Sequence, residues 1–136
     1  MTQLAPDAAT NRKDDVVVLV VPADGSYLAV LRTATAGLAA RLQFTLDEIE
    51  DLRIAVDEAC AMLLALAPPP AVEPTLTCHF EVTGEALAIE VAVPVNGRAA
   101  LPGGQSFSWQ VLTALAGEVK AETNNGRAAI RLVKRR

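Results

Sequence analysis

The chain has 136 residues, a formal net charge of −4, and a composition that is 51% apolar but only 4% aromatic. A chain of this length folds as one domain around one core, and an acidic balance without a basic stripe excludes nucleic acid as the expected partner. No apolar run approaches the roughly 20 residues that span a bilayer, and Met1 to Asp15 lacks a signal-peptide core, so the expected location is the cytoplasm, with no membrane contact.

Residues 1–15 carry Pro6, Asp7, Asn11 and Arg12 without apolar periodicity and are expected to be a disordered tail, leaving 16–136 as the single domain. Val16 to Val21, ended by Pro22, is a continuous β-branched run and reads as a strand covered on both faces or along most of one. From Ser26 to Leu42 the residues Tyr27, Val30, Leu31, Leu38 and Leu42 recur at helical spacing, and Arg32 and Arg41 interrupt the stripe. The clearest local signal follows. In Thr45-Leu46-Asp47-Glu48 the threonine can cap the amide of Glu48 while the Glu48 carboxylate returns to Thr45, with Phe44 set as a hydrophobic staple. The stripe Ile49, Leu52, Val56, Cys60, Leu63 then runs until Pro68-Pro69-Pro70 forbids further helix.

Thr75 to Val82 and Ala86 to Val93 alternate, with Leu76, Cys78, Phe80, Val82 and Leu87, Ile89, Val91, Val93 inward, joined as a hairpin through Thr83-Gly84-Glu85. Pro94 to Gln105 has loop composition. A third helix is expected from about Ser106 or Ser108 to Ala116, with Trp109, Leu112 and Leu115 inward and Gly117 as its stop. Glu118 to Thr123 and Arg127 to Val133 bracket the hairpin turn Asn124-Asn125-Gly126. The order β-α-α-β-β-α-β-β implies an α+β, two-layer sandwich: one sheet with three helices on one face.

Cys60 and Cys78 lack the paired spacing of a zinc site and read as small core residues, and His79 reads as an exposed strand residue, so no metal site is expected. Arg131, Lys134, Arg135 and Arg136 form the main basic cluster and read as a solvated tail, with docking to an acidic protein surface as the alternative.

This element order, an acidic pair in the second helix and glycines ahead of the third resemble the GHKL (Bergerat) ATPase fold, which implies a mixed, mostly antiparallel sheet. Within that fold Leu52-Arg53-Ile54-Ala55-Val56-Asp57-Glu58-Ala59-Cys60, the stretch Ser106 to Ala116 and the closing Ala129 to Lys134 are similar to RsbW-type anti-sigma factors, in particular actinobacterial ones. Those proteins are serine kinases of their anti-anti-sigma partners. The resemblance runs from Val16 to Arg136.

The resemblance also implies where nucleotide chemistry should lie. The family's second helix carries a Glu that polarises the attacking hydroxyl and, four residues on, an Asn for magnesium; here these positions are Glu58 and Met62, and a thioether is a poor ligand for a hard cation. Where the family has Asp-x-Gly-x-Gly for adenine, this chain has Val91-Ala92-Val93-Pro94-Val95-Asn96-Gly97, in which Asn96-Gly97 is a shifted remnant or an ordinary turn. The phosphate-wrapping glycines at the last helix fall on Ser106 and Ser108, and the lid shrinks to Arg98 to Gln105, whose Gly103-Gly104 pair is a phosphate-loop ingredient. A catalytic role for Glu58 competes with that of a helix carboxylate at a partly covered face or in a salt bridge with Arg53 or Arg32.

The function so implied is an anti-sigma factor that sequesters a sigma factor by protein binding, its ATP-binding and kinase motifs largely lost. Arg32 falls at a first-helix arginine that contributes to the family's sigma interface, where a guanidinium pairs bidentately with carboxylates. No cofactor is expected, with ATP and magnesium if the nucleotide site is retained. Partners implied are a sigma factor, an anti-anti-sigma (STAS) protein and a second copy, because the family commonly dimerises and Val16 to Val21 would lie near it. The alternatives are a divergent ATP-dependent serine kinase with Glu58 as base, and a GHKL-like binding module for another regulator.

Overall fold

The computed structural model describes residues 15–70 and 73–136, so the expected tail, Asp15 apart, lies outside the described residues. Five strands form one sheet in the order β1-β2-β3-β5-β4: β1 (Asp15–Pro22), β2 (Thr75–Val82), β3 (Ala86–Pro94), β4 (Glu118–Asn124) and β5 (Arg127–Arg135). The α+β sandwich expected from the sequence is present, and all four strand pairings are antiparallel. Register explains the two faces. Leu19, Cys78, Val91, Ile130 and Ala121 stand in one row across the sheet, with Val17, Phe80, Ile89, Leu132 and Val119 in the next, and both rows face the helices.

Among the described residues the opposite face carries no helix. Its rows read Val18, His79, Glu90, Arg131, Lys120 and Val20, Thr77, Ala92, Ala129, Glu122. Arg131 reaches Glu81 at 3.1 Å, Arg127 reaches Glu90 at 2.8 Å and Arg135 reaches Glu118 at 2.6 Å. The terminal basic residues are therefore not a solvated tail: from β5, Arg131 pairs with Glu81 of β2 and Arg135 with Glu118 of β4, while Lys134 donates to the Leu115 carbonyl and Arg136 to that of Gly84. On β1 the run Val16 to Val21 is covered along one face only, leaving Val16, Val18 and Val20 at least half exposed at the sheet edge.

A single 3₁₀ turn at Gly25–Tyr27 leads into α1 (Leu28–Arg41). Its buried positions are Leu31, Thr35 and Ala39, one turn apart, with Leu28, Ala34 and Leu38 packed beside them. The expected stripe is corrected here. Tyr27 lies in the 3₁₀ turn and Val30 faces solvent, because in an alanine-rich helix the core ridge is drawn by small residues that hydropathy barely distinguishes. The Thr35 hydroxyl is buried at no cost in unpaired polarity, since it donates to the Leu31 carbonyl at 2.7 Å.

The second helix, α2 (Leu46–Leu64), starts at the expected capping box: Glu48 N donates to Thr45 Oγ1 at 3.1 Å and Thr45 N to Glu48 Oε1 at 2.8 Å. The Thr45 amide holds the Glu48 carboxyl below its ordinary range. A depressed folded value means that this contribution is complete at neutral pH and is lost as pH falls through it. Thr45→Ala is expected to destabilise the fold by about 1 kcal/mol, read as a lowered urea midpoint with unchanged slope. Leu52, Val56, Cys60 and Leu63 are buried as the stripe required, and Phe44 is 7% exposed beneath the cap.

Two hairpin turns follow their residues' chemistry. Thr83 Oγ1 accepts from the amides of Glu85 and Ala86, closing β2 to β3. Asn125 and Gly126 have φ of 50° and 74°, the doubly positive pair that a two-residue turn between twisted strands needs. The third helix, α3 (Phe107–Ala116), is capped by Ser106 and stopped by Gly117 at φ 92°. Its buried side chains are Leu112 and Ala116, with Trp109 and Leu115 packed against the core.

Candidate functional site

The central helix α2 packs between α1 and α3, and its solvent-side ridge bears the acidic pair Asp57-Glu58. Each member turns to a different neighbour. Asp57 meets Arg32 of α1, whose Nη1 lies 3.0 Å from Oδ1 and 3.1 Å from Oδ2, with the two side chains 35% and 39% exposed. Arg53 goes instead to Glu50, one turn back on its own helix, at 3.1 Å. Of the two alternatives to catalysis for Glu58, the salt bridge with Arg53 or Arg32 is not formed, since both arginines pair elsewhere, and the partly covered helix carboxylate is what is observed. Steric order explains it: consecutive helix residues point about 100° apart, so only one of Asp57 and Glu58 can face α1.

Glu58 faces α3. Ser108 Oγ donates to its Oε2 at 2.6 Å, a short charge-assisted bond between residues 50 apart in the chain. Ser108 stands in the first turn of α3, one residue past Phe107, and Ser106 Oγ accepts from the amide of Trp109 at 3.3 Å to cap that turn. The pair lines a shallow cavity of about 330 Å³ together with Met62 of α2, Leu66 just past its end, and Ala100 and Pro102 of the loop. Met62 is 5% exposed and belongs to the core.

The loop between β3 and α3 holds the remaining candidates. Asn96 turns its side-chain oxygen to the amide of Arg98 at 2.9 Å, the geometry of a local Asx turn, while its own amide donates to the Ala67 carbonyl just past α2. Gly97, Gly103 and Gly104 each have open space where a side chain would begin, so none is required by a close approach of protein atoms. Gly103 accepts from the amide of Ser106, and Trp109 Nε1 donates to the Pro102 carbonyl. The structure thus brings together Glu58, Met62 and Ser108, whereas Arg32 sits across α2 from them and Asn96 lies at the far end of the loop.

These residues do not fit a magnesium–nucleotide complex. Magnesium takes oxygen ligands in a tight octahedron, and the side chain one turn beyond Glu58 is a core thioether. One Glu58 oxygen is already committed to Ser108. Among the described residues no group of three His, Cys, Asp or Glu side chains is arranged for a metal. Both thiols are free and buried. Burial, then the nearby Asp57 carboxylate, pushes Cys60 up to about 12, and burial, then Cys60, raises Cys78, so neither presents a thiolate for chemistry.

Asp57 was not singled out by sequence reasoning. Its signal was available in the geometry of the helical hairpin: counting outward from the link at Leu42–Thr45 brings Arg32 and Asp57 to about the same height on antiparallel neighbours. The Glu58–Ser108 bond had no comparable signal, because it depends on how a loop returns α3 to α2.

No family model matches the chain. It is 34% identical over 115 residues to the anti-sigma-F factor RsbW of Mycobacterium tuberculosis, across 85% of this chain and 66% of that protein. It is 36% identical over 78 residues to the serine-protein kinase RsbW of Bacillus subtilis, across 57% of this chain and 49% of that one. The match therefore spans from about half to just under two thirds of these relatives' own length. A crystal structure of the RsbU and RsbW domains of a Mycobacterium tuberculosis protein superposes with a TM-score of 0.61 over 89% of this chain and 32% of that chain, at 14% identity, a likeness of fold. No described helix is long and apolar enough to cross a membrane. With this identity across 85% of the chain and the likeness of fold, the chain belongs to the RsbW family.

Proposed function

We propose that this protein is an anti-sigma factor that acts in the cytoplasm by sequestering a sigma factor through surface contacts, without nucleotide chemistry. The observation that carries the reading is the pairing of a relative named as an anti-sigma factor over 85% of the chain with a Glu58 that is hydrogen-bonded to the chain's own Ser108 beside a buried Met62. Binding a protein needs a surface, and the helical layer offers one. Arg32 and Asp57 form an ion pair about a third exposed, with Ile54, one turn before Asp57 on α2, solvent-exposed. A partly exposed arginine near an exposed apolar side chain is a composition found at interface hot spots.

Release by an anti-anti-sigma protein belongs to the same proposal, as does a homodimer. The exposed Val16, Val18 and Val20 along the β1 edge, next to a helix-free face whose ion pairs balance, support self-association. Titration of the purified chain with each sigma factor encoded in its own genome tests the proposal: one should bind in the nanomolar to micromolar range, and binding of none contradicts it. A second reading, a serine kinase with Glu58 as base, is favoured by the name of the Bacillus relative and by the retained carboxylate. Transfer of labelled phosphate from ATP to a serine of an anti-anti-sigma partner would establish it.

A further inference from the structure

We propose that Glu58 and Ser108 form a latch that ties α2 to the start of α3 and holds the loop over 95–106 shut, so that this end of the molecule keeps one shape whether or not nucleotide is present. This goes beyond the sigma-binding reading, with which it shares the Glu58–Ser108 bond and the absence of a nucleotide effect, but not the sigma-factor contact.

The loop is anchored along its length. At its start the Asn96 amide donates to the Ala67 carbonyl at 3.1 Å, which fixes it to the end of α2. Midway, the Pro102 carbonyl accepts from Trp109 Nε1, and at its end Gln110 Nε2 donates to the Gln105 carbonyl at 3.3 Å. All but the first of these anchors bind the loop to α3. They keep it over the cavity only if the first turn of α3 is itself held against α2. Among the described residues the Ser108–Glu58 bond is the side-chain hydrogen bond that does so.

Its chemistry suits that task. A hydroxyl donating to a carboxylate at 2.6 Å is at the short, strong end of such bonds. The carboxylate also lies at the first turn of a capped ten-residue helix, where exposed amides and the helix dipole favour negative charge. The other side chains that line the cavity, Ala61, Met62, Ala65, Leu66, Ala100 and Pro102, are apolar and offer the carboxylate no competing donor. The device is a strut made from a carboxylate, and Ser108 is a positioning residue.

Hydrogen exchange read by mass spectrometry on the full chain tests this. Ser108→Ala keeps a helix-forming residue and removes the hydroxyl; it should speed exchange over 99–110 by about tenfold while β2 and β3 keep wild-type rates. Glu58→Gln keeps an acceptor and loses the charge, and should fall between the two. In the wild type, millimolar magnesium-ATP should leave exchange over 99–110 unchanged. Wild-type rates in Ser108→Ala, a uniform rise across the whole chain, or protection of 99–110 by magnesium-ATP would each overturn the proposal. Failure to find a sigma-factor partner would leave these results untouched, so the two readings fail separately.

Discussion

Arg32→Glu is expected to weaken binding of the cognate sigma factor by about 100-fold or more, the range of a central arginine in a protein interface. The substitution has two effects, because Arg32 is already held by Asp57 at 3.0 and 3.1 Å. It removes a guanidinium from the surface and sets a second carboxylate against Asp57. The fold should survive, since a pair about a third exposed contributes on the order of 1 kcal/mol or less. A charge swap separates the effects: Arg32→Asp with Asp57→Arg rebuilds the ion pair across α1 and α2 but moves the guanidinium to the neighbouring helix. Direct contact by Arg32 predicts that the swap binds as poorly as Arg32→Glu while melting near the wild type. Recovery of binding in the swap would mean that the pair only braces the two helices.

Phe80→Ala is expected to be the most damaging single change to the fold, at about 3 to 5 kcal/mol. Phe80 is fully buried on the interior strand β2, directly between Val17 and Ile89 in the register, and it sits in the row that continues to Leu132. Removing its ring leaves a cavity among β-branched neighbours that cannot collapse to fill it. Because domains are stable by roughly 5 to 15 kcal/mol, the loss is a large share of the total. Its neighbour His79, on the helix-free face, is the control: His79→Ala should change stability by about 0.5 kcal/mol or less. Guanidinium unfolding followed by circular dichroism reads both.

Sequence legibility followed local chemistry. The capping box at Thr45 and Glu48, the turn at Asn125-Gly126 and the alternation of β2 and β3 are set by residues close in the chain, and each appears where its signal lay. The face of α1 was misread because Leu31, Thr35 and Ala39 form its core ridge, two of them small or polar, while the larger Tyr27 and Val30 face solvent. The basic end of the chain reads as a tail because charge alone does not reveal strand pairing; from β5, Arg131 and Arg135 reach acidic partners on β2 and β4, 50 and 17 residues away. The site divides the same way. Glu58 and Met62, one helical turn apart, were readable together, but the commitment of Glu58 to Ser108 depends on a loop whose path no local pattern specifies.

The proposed function is that of a chain with the RsbW fold that binds a sigma factor through its helical layer without using nucleotide, its Glu58 held by Ser108. The most direct test is one calorimetric titration of the purified chain with its cognate sigma factor, run with and without magnesium-ATP. A nucleotide that does not bind cannot shift the equilibrium, so the two dissociation constants should agree within about twofold. A change of about tenfold or more on adding magnesium-ATP, equivalent to roughly 1.4 kcal/mol of coupling, would show that the cleft still takes nucleotide and would contradict the account.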